Sequence, residues 1–403
     1  MKAYFNKFHK VVWIQAVGHA ITSFVWIILL PFLTLYMYDQ FGENIILTTL
    51  VIGVQPFTEI VLTFSIGKWI DRFGRRPILL WSLLIQVIAI AGFALASHVW
   101  LFVLCAFLNG LGRFAYIPIS RAQISDTVHP EKQAETFALL STASSIGSLG
   151  GPIVGAILFQ LNPQVLFIVM AVLLVLYFIM ALKFLPESNP ITNTNEPVYK
   201  LRANDYKMIV WLVVGMLPIS FFHSQMETNW PLYLKEYMVN YLFVFSLLET
   251  IGTVIFIVLE VVLVNRTSKY SRFRIIQAGY FLYAFASLGF GFSNHIVGLI
   301  VSQVLLCLGA IVILNHMQVI ISTLAPKEHK GRYFALFGLH WDISRSTGPL
   351  LGGSILALVG GKGLFLITFL LLILGVISQT KAIQSIDRKT NVVIESRSAL
   401  VEE

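Results

Sequence analysis

Charge is scarce in this chain. Asp, Glu, Lys and Arg make up 12% of its 403 residues, about half the share usual in soluble domains, so water is not the main solvent of the fold. Cysteine is scarcer still: Cys105 and Cys307 are the only two, both inside long apolar runs. That placement argues against a structural disulfide and leaves no zinc-ligand spacing. The sequence has no Walker loop, dinucleotide fingerprint, nucleophile elbow or metal-ligand cluster. It therefore offers no catalytic centre, no cofactor and no metal site, and reads as a non-enzyme.

Apolar sequence is what the chain has in plenty, at 57% of residues. Twelve apolar stretches lie near 11–38, 44–66, 77–97, 100–122, 134–160, 164–185, 207–233, 241–264, 274–293, 296–320, 333–360 and 363–381. Each is close to the roughly 20 residues a helix needs to cross the hydrocarbon core. A membrane barrel would alternate in polarity over segments of about ten residues. These stretches instead run apolar for several helical turns with Gly and Pro inside, which predicts an all-α membrane protein of twelve transmembrane helices. The basic start Met1 to Lys10 leads into a long apolar run without a small-residue cleavage site, so the first span is read as uncleaved rather than as a signal peptide.

Basic residues set the orientation, since cytoplasmic loops carry the excess of Lys and Arg. With the N-terminus inside, all 28 basic residues except Lys235, Lys362, Arg113 and Arg345 fall in cytoplasmic segments. Both termini are thus predicted to be cytoplasmic, in the cell membrane. The net charge of +8 follows from this asymmetry and the anionic inner leaflet, and no nucleic-acid partner is needed to explain it.

The one long polar interval between spans, Pro186 to Lys207, has the composition of a linker. It divides the chain into a first six-helix bundle (1–186), a cytoplasmic linker (187–206), a second six-helix bundle (207–382) and a cytoplasmic tail (383–403). Internal similarity gives the same division. Phe137-Ala138-Leu139 and Phe334-Ala335-Leu336 lie 197 residues apart, as do Gly151-Pro152 with Gly155 and Gly348-Pro349 with Gly352. Asp71-Arg72-Phe73-Gly74-Arg75 has a weaker echo in Ser271-Arg272-Phe273-Arg274. Parallel six-span repeats are a known transporter plan.

The second cytoplasmic turn reads Gly67-Lys68-Trp69-Ile70-Asp71-Arg72-Phe73-Gly74-Arg75-Arg76-Pro77. It resembles the signature loop between spans 2 and 3 of the major facilitator superfamily. In span 5, Gly147, Gly151, Pro152 and Gly155 resemble the superfamily's antiporter motif, and Leu185-Pro186-Glu187-Ser188 matches its usual exit from span 6. The resemblance covers almost the whole chain, and the closest type is the twelve-span drug:proton antiporter. It implies two pseudo-symmetric bundles that work by alternating access. It also implies a cytoplasmic gate from Gly67, Asp71, Arg72, Gly74, Arg75, Arg76 and Asp126, in which Asp71, Arg75 and Asp126 pair. The span 5 glycines would then seal against proton leak. Span 4 departs from the family pattern: Asn109-Gly110 occupies the usual Gln-Gly pair, Ala106 stands where an arginine is usual, and Arg113 lies further along the same face.

Polar residues inside the spans form stripes at helical spacing. Span 4 carries Asn109, Arg113, Tyr116 and Ser120; span 7 carries Met216, Ser220, His223 and Glu227. Span 1 carries Gln15, His19, Thr22 and Trp26, and span 10 carries Asn315, Gln318 and Ser322 beside His316. Spans 1, 4, 7 and 10 are the ones that line the central cavity in the superfamily. The predicted substrate cavity is therefore Gln15, His19, Trp26, Asn109, Arg113, Tyr116, Ser220, His223, Glu227, Asn315 and Gln318.

A charge at mid-span costs about 2.5–3.5 kcal/mol on insertion scales, which marks such residues as functional candidates. Glu59 in span 2 and Glu249 and Glu260 in span 8 have no obvious cationic partner in the sequence, and Glu227 shares its stripe with His223. Desolvation penalises the charged form, so a carboxyl in this setting can take up and release a proton. Glu227, Glu249, Glu59 and Arg113 are the proton-coupling candidates. A simpler reading keeps Glu227 and Glu260 as wet span ends, His19 and His223 as hydrogen-bonded structural histidines, and Asp342 with Arg345 as a self-neutralising pair.

The 31 Phe, 14 Tyr and 8 Trp suit lipid contact and interfacial belts, while Trp26 and Tyr116 are placed to stack on a flat or cationic ligand. The leading expectation is a proton-coupled exporter of lipophilic or cationic small molecules. Two rivals stay open: a transporter of a polar metabolite such as a sugar, amino acid or siderophore, and a receptor that keeps the fold without turnover. The expected partners are a small-molecule substrate, protons and membrane lipid, with the chain acting as a monomer.

Overall fold

The computed structural model describes residues 10–63, 74–187, 203–324 and 330–399. In hydrocarbon every backbone N–H and C=O must be satisfied within its own segment, and the described residues answer with helices almost throughout. These are α1 (Lys10–Gln40), α2 (Ile45–Thr63), α3 (Arg75–Leu95), α4 (Val99–Thr127), α5 (Pro130–Leu161), α6 (Pro163–Phe184) and α7 (Ala203–Glu227). A short helix α8 (Asn229–Tyr237) precedes α9 (Tyr241–Thr267), α10 (Arg272–Phe292), α11 (Ile296–Leu324) and α12 (Lys330–Ala399). Eleven stretches among them are long and apolar enough to cross a membrane. The last, Leu336–Gln384, has 49 residues, enough for two crossings of about 20 residues each. It turns at Gly360, whose φ of 72° and ψ of 176° lie where only glycine sits without strain. Twelve spans result.

Local chemistry fixes several helix ends. The Asn162 side chain accepts the Gln164 N–H at 2.8 Å and Pro163 fills the first helical position of α6, a pairing that suits an N-terminus whose first N–H groups have no helical acceptor. Pro31, Pro56, Pro152, Pro218 and Pro349 lie inside helices, as spans allow where neighbours re-satisfy the freed carbonyls. Around Pro349, side chains also reach the helix backbone: Asn229 Nδ2 donates to Pro349 O at 3.1 Å, and Gln225 Nε2 donates to Gly348 O at 3.1 Å.

The chain forms two compact units. The first comprises Met1–Glu196, Glu227–Thr253 and Pro349–Ser354; the second comprises Pro197–Met226, Val254–Gly348 and Ile355–Glu403. Lipid tails give no hydrophobic drive between helices, so close packing at small residues does the work. In the first unit, α5 lies on α1: a Cβ at Gly147 would meet the Ala20 carbonyl, one at Gly151 the Ile27 side chain, and one at Gly155 the Phe32 ring at 2.9 Å. Gly112 of α4 is pressed on Ser82 and Gln86 of α3, and Gly18 of α1 on Tyr177 of α6. Phe32 also meets Phe245 edge-on at 6.0 Å, and Phe245 meets Trp230 at 5.8 Å, which ties α1 to α8 and α9.

The second unit repeats these contacts at the offset seen in the sequence. Adding 197 turns Gly18 into Gly215, Gly112 into Gly309, Ser82 into Gly279, and the Ile27–Gly151 contact into Ser224–Gly348. Each of these positions is again a close approach. Gly309 meets the Gly279 carbonyl, Gly348 meets Ser224, and Gly215 meets Gln379 while accepting the Tyr280 hydroxyl at 2.5 Å.

Two neighbouring glycines test this account. Gly147→Ala pushes a methyl group into the Ala20 backbone, an overpacking worth about 1–3 kcal/mol. Gly150 has nothing within 4 Å of the same position, so Gly150→Ala gains up to about 1 kcal/mol of helix propensity. Thermal unfolding in detergent should show Gly147→Ala melting several degrees below the parent and Gly150→Ala at or above it.

Candidate functional site

The first unit brings Trp26, Glu59, Asn109 and Arg113, all predicted from the sequence, into one intramembrane cluster with Gln55, which was not. Gln55 and Glu59 lie one turn apart on α2, and Asn109 and Arg113 lie one turn apart on α4, so the two helices present facing rungs. Arg113 Nε stands 3.6 Å from Glu59 Oε1, Gln55 Nε2 donates to Glu59 Oε1 at 3.1 Å, and Asn109 Nδ2 donates to Gln55 Oε1 at 2.8 Å. The Arg113 guanidinium lies over the ring of Trp26 from α1. Side-chain exposure is 16% for Arg113 and 21% for Glu59, so neither is fully buried. The sequence left Glu59 without a cationic partner. The structure supplies one from another helix, because Arg113 and Glu59 meet only when α2 and α4 pack at Gly110 against the Gln55 carbonyl.

A second polar layer of the same unit lies further along α1 and α4. Gln15 donates to Gln123 Oε1 at 2.7 Å and accepts from Ser120 at 2.9 Å and from the Tyr177 hydroxyl at 3.2 Å. His19 Nε2 pairs with Ser120 at 3.0 Å, and its Nδ1 is 3.4 Å from Ser144 Oγ. Tyr116 donates to Tyr177 at 3.3 Å, and Gln123 Nε2 donates to the Pro186 carbonyl at 3.0 Å. A buried polar layer this well satisfied rigidifies its helices. Gln123 and Tyr177 were not singled out from the sequence. The signal for Gln123 was there, since it continues the spacing of Asn109, Arg113, Tyr116 and Ser120; Tyr177 is a lone hydroxyl in an apolar helix and gave none.

In the second unit the predicted cavity residues take local partners. Ser220 is buried against α12, bonded to the His340 carbonyl at 3.0 Å and to Ser344 Oγ at 2.8 Å. His223 Nε2 pairs with the Tyr283 hydroxyl at 2.7 Å, and its ring lies 5.2 Å from that of Trp341. Asn315 donates to Glu260 Oε1 at 3.0 Å, which gives Glu260 a partner of its own, and His316 pairs with Thr267 at 2.8 Å. Gln318 is exposed. His340 is fully buried, and both of its ring nitrogens lack a hydrogen-bond partner among the described residues.

Glu227 and Glu249 both belong to the first unit and lie within electrostatic reach of each other. At the end of α1 in the same unit, Asp39 pairs with Lys235 of α8, whose ammonium lies 5.5 Å from the Tyr38 ring centre. The predicted gate residues Gly67, Asp71 and Arg72 and the Asp126 side chain lie outside the described residues. Of the remaining gate, Gly74 takes a φ of 80°, and the Arg75 and Arg76 backbone N–H groups donate to Glu187 Oε1 at 3.1 and 3.2 Å. A carboxylate on the first N–H groups of α3 is where a helix macrodipole favours an anion. The Arg76 guanidinium donates to the Leu182 carbonyl at 2.7 Å.

Comparison with known proteins places this architecture. The Major Facilitator Superfamily model matches residues 16–346 and 245–386. The chain is 36% identical to the "Uncharacterized MFS-type transporter YhjO" of Bacillus subtilis, covering 92% of this chain and 93% of that one. It is 25% identical to a "Na(+), Li(+), K(+)/H(+) antiporter" of Planococcus maritimus over 82% of this chain and 85% of that one. It is 24% identical to the "Multidrug resistance protein MdtH" of Salmonella choleraesuis over 50% and 54%. The crystal structure of the POT family transporter PepTSo matches with a TM-score of 0.73 at 15% identity, covering 94% of this chain and 98% of that one. With a family model spanning nearly the whole length and a close relative matched end to end, this chain belongs to the major facilitator superfamily of multi-pass membrane transporters.

Proposed function

We propose that the protein is a proton-coupled exporter of lipophilic or cationic small molecules, working by alternating access in the cell membrane with both termini cytoplasmic. The observation that carries this reading is the Glu59–Arg113 pair under Trp26. A carboxylate inside a span is costly alone and is held in its charged form by the guanidinium beside it. Protonating Glu59 removes that hold. The same carboxylate can instead hold a lipophilic cation that displaces Arg113 from the Trp26 face, and that hold too is lost on protonation. Proton and substrate thus compete for one cluster, as exchange in opposite directions requires.

One proton crossing about 100 mV releases roughly 2.3 kcal/mol, which sustains a gradient of about 40-fold at 1.4 kcal/mol per tenfold. Glu227 and Glu249, which lie within electrostatic reach of each other, are further candidates for carrying the proton. Distant relatives named for cation/proton antiport and for multidrug resistance support the direction of this reading. The amides of the first unit favour it over a polar-metabolite transporter, since Gln15, Gln55, Asn109 and Gln123 are engaged with one another or with protein side chains.

Proteoliposomes with an imposed pH gradient and tetraphenylphosphonium as probe test the proposal directly. The parent should move the probe against its gradient, and Glu59→Gln, which lacks the shared carboxylate, should abolish that movement and bind the probe several-fold more weakly. Gradient-driven transport by Glu59→Gln at the parent rate would end the proposal.

The pair itself is tested by a double-mutant cycle on thermal stability. Arg113→Gln should destabilise more than the Glu59→Gln/Arg113→Gln double variant, because the single change strands a charge in the membrane. The coupling energy should fall at about 1–3 kcal/mol, the range for directly contacting residues. Additive single effects would mean that the two side chains do not act as a pair.

A further inference from the structure

Each half of the repeat carries a trough on its surface. The first, about 560 Å³, runs between α3 and α4 past Pro77, Ile78, Trp81, Ile85 and Leu111. The second, about 360 Å³, runs between α10 and α11 past Arg274, Ile275, Ala278, Leu282 and Leu308, with Tyr270 at its mouth. The two are equivalent: residues 77, 78, 81, 85 and 111 become 274, 275, 278, 282 and 308 on adding 197. Both are apolar along their length, and they differ at the mouth.

Beside the first trough, at the start of α3 next to Pro77, a carboxylate is already in place. Glu187 accepts the Arg75 and Arg76 N–H groups, and the Arg76 guanidinium is engaged with Leu182 O. At the second mouth Pro77 is replaced by an exposed Arg274, which has no carboxylate within ion-pair distance among the described residues. Arg266, Lys269, Arg272 and Arg274 crowd into nine residues, and no Asp or Glu occurs between Glu260 and Glu328. A basic, acid-free rim on an apolar trough is complementary to a molecule with an anionic head and a hydrocarbon tail.

We propose that the α10–α11 trough holds one anionic phospholipid, with its phosphate on Arg274 and the Tyr270 hydroxyl and one acyl chain laid along Ala278 and Leu308. The site rests on the reading that the 266–274 turn faces the inner leaflet, where anionic lipids and juxtamembrane basic clusters meet. The equivalent α3–α4 trough, beside which Glu187 already holds the first N–H groups of α3, takes acyl chains without preference for charge.

Native mass spectrometry of the full chain, released from detergent containing equal phosphatidylglycerol and phosphatidylcholine, tests this. The parent should retain one phosphatidylglycerol. Arg274→Gln should weaken that retention about fivefold, the effect of one basic residue near an anionic surface. Ala278→Phe should block the trough and lose the lipid, while Ile85→Phe in the other trough should leave retention unchanged. Equal retention of the two lipids by the parent, or undiminished phosphatidylglycerol on both Arg274→Gln and Ala278→Phe, would overturn the site. Membrane-impermeant labelling of Ser268→Cys separates this from the orientation on which it rests: reactivity only in opened cells is expected, and reactivity in intact cells would overturn the inner-leaflet assignment.

Discussion

The absence of water inside the bilayer is the constraint from which the rest of this molecule follows. Backbone groups have no solvent to bond, so the described residues are helical almost from end to end. Side chains face the same rule. Gln15 meets Gln123, Ser120 and Tyr177, Asn109 meets Gln55, and Asn315 meets Glu260. Since apolar surface gains little by leaving lipid for protein, the helices are held by backbone approach at small residues and by these polar pairings. Gly147, Gly151 and Gly155 of α5 serve the first purpose, and their Cβ positions are filled by Ala20, Ile27 and Phe32 of α1.

That scaffold is duplicated, and its chemistry is not. Close-packing positions recur 197 residues on, from Gly18, Gly112 and Gly151 to Gly215, Gly309 and Gly348. The charged cluster has no such copy. Gln55, Glu59, Asn109 and Arg113 correspond to Gly252, Phe256, Leu306 and Ala310, and Trp26 corresponds to His223. Packing depends on backbone shape and is kept wherever the repeat is kept. A membrane-embedded charge is costly wherever it stands, and the second unit does without this one.

The sequence made the spans legible because about 20 apolar residues in a row leave few alternatives. It made the repeat legible because glycine and proline at fixed spacing cannot be exchanged freely. Stripes such as Asn109, Arg113, Tyr116 and Ser120 were also readable, since they depend only on helical period. Their partners were not. Glu59 and Arg113 sit on different helices, and whether they meet depends on how α2 and α4 rotate and cross, which no local pattern encodes. Ser220 shows the same limit. Its stripe was readable, yet its hydroxyl is spent on His340 and Ser344 of α12. Glu187 was visible as the exit of the sixth span and Arg75 and Arg76 as part of the second cytoplasmic turn; their contact appears only when the two ends of the first unit are brought together.

Partial burial bears on what the Glu59–Arg113 pair can do. A pair in bulk solvent couples by about 0–1 kcal/mol, too little for one protonation event to command the position of a helix. A fully dry pair loses about 3–5 kcal/mol when one partner is removed, more than the roughly 2.3 kcal/mol that a single proton supplies at about 100 mV. Exposure of 16% and 21% sets this pair between those limits. Its partners also have somewhere to go: Gln55 already bonds Glu59, and Trp26 already carries the guanidinium. Under the proposed function, an ion pair with Gln55 on one side and Trp26 on the other is one that a proton can open and a returning charge can close.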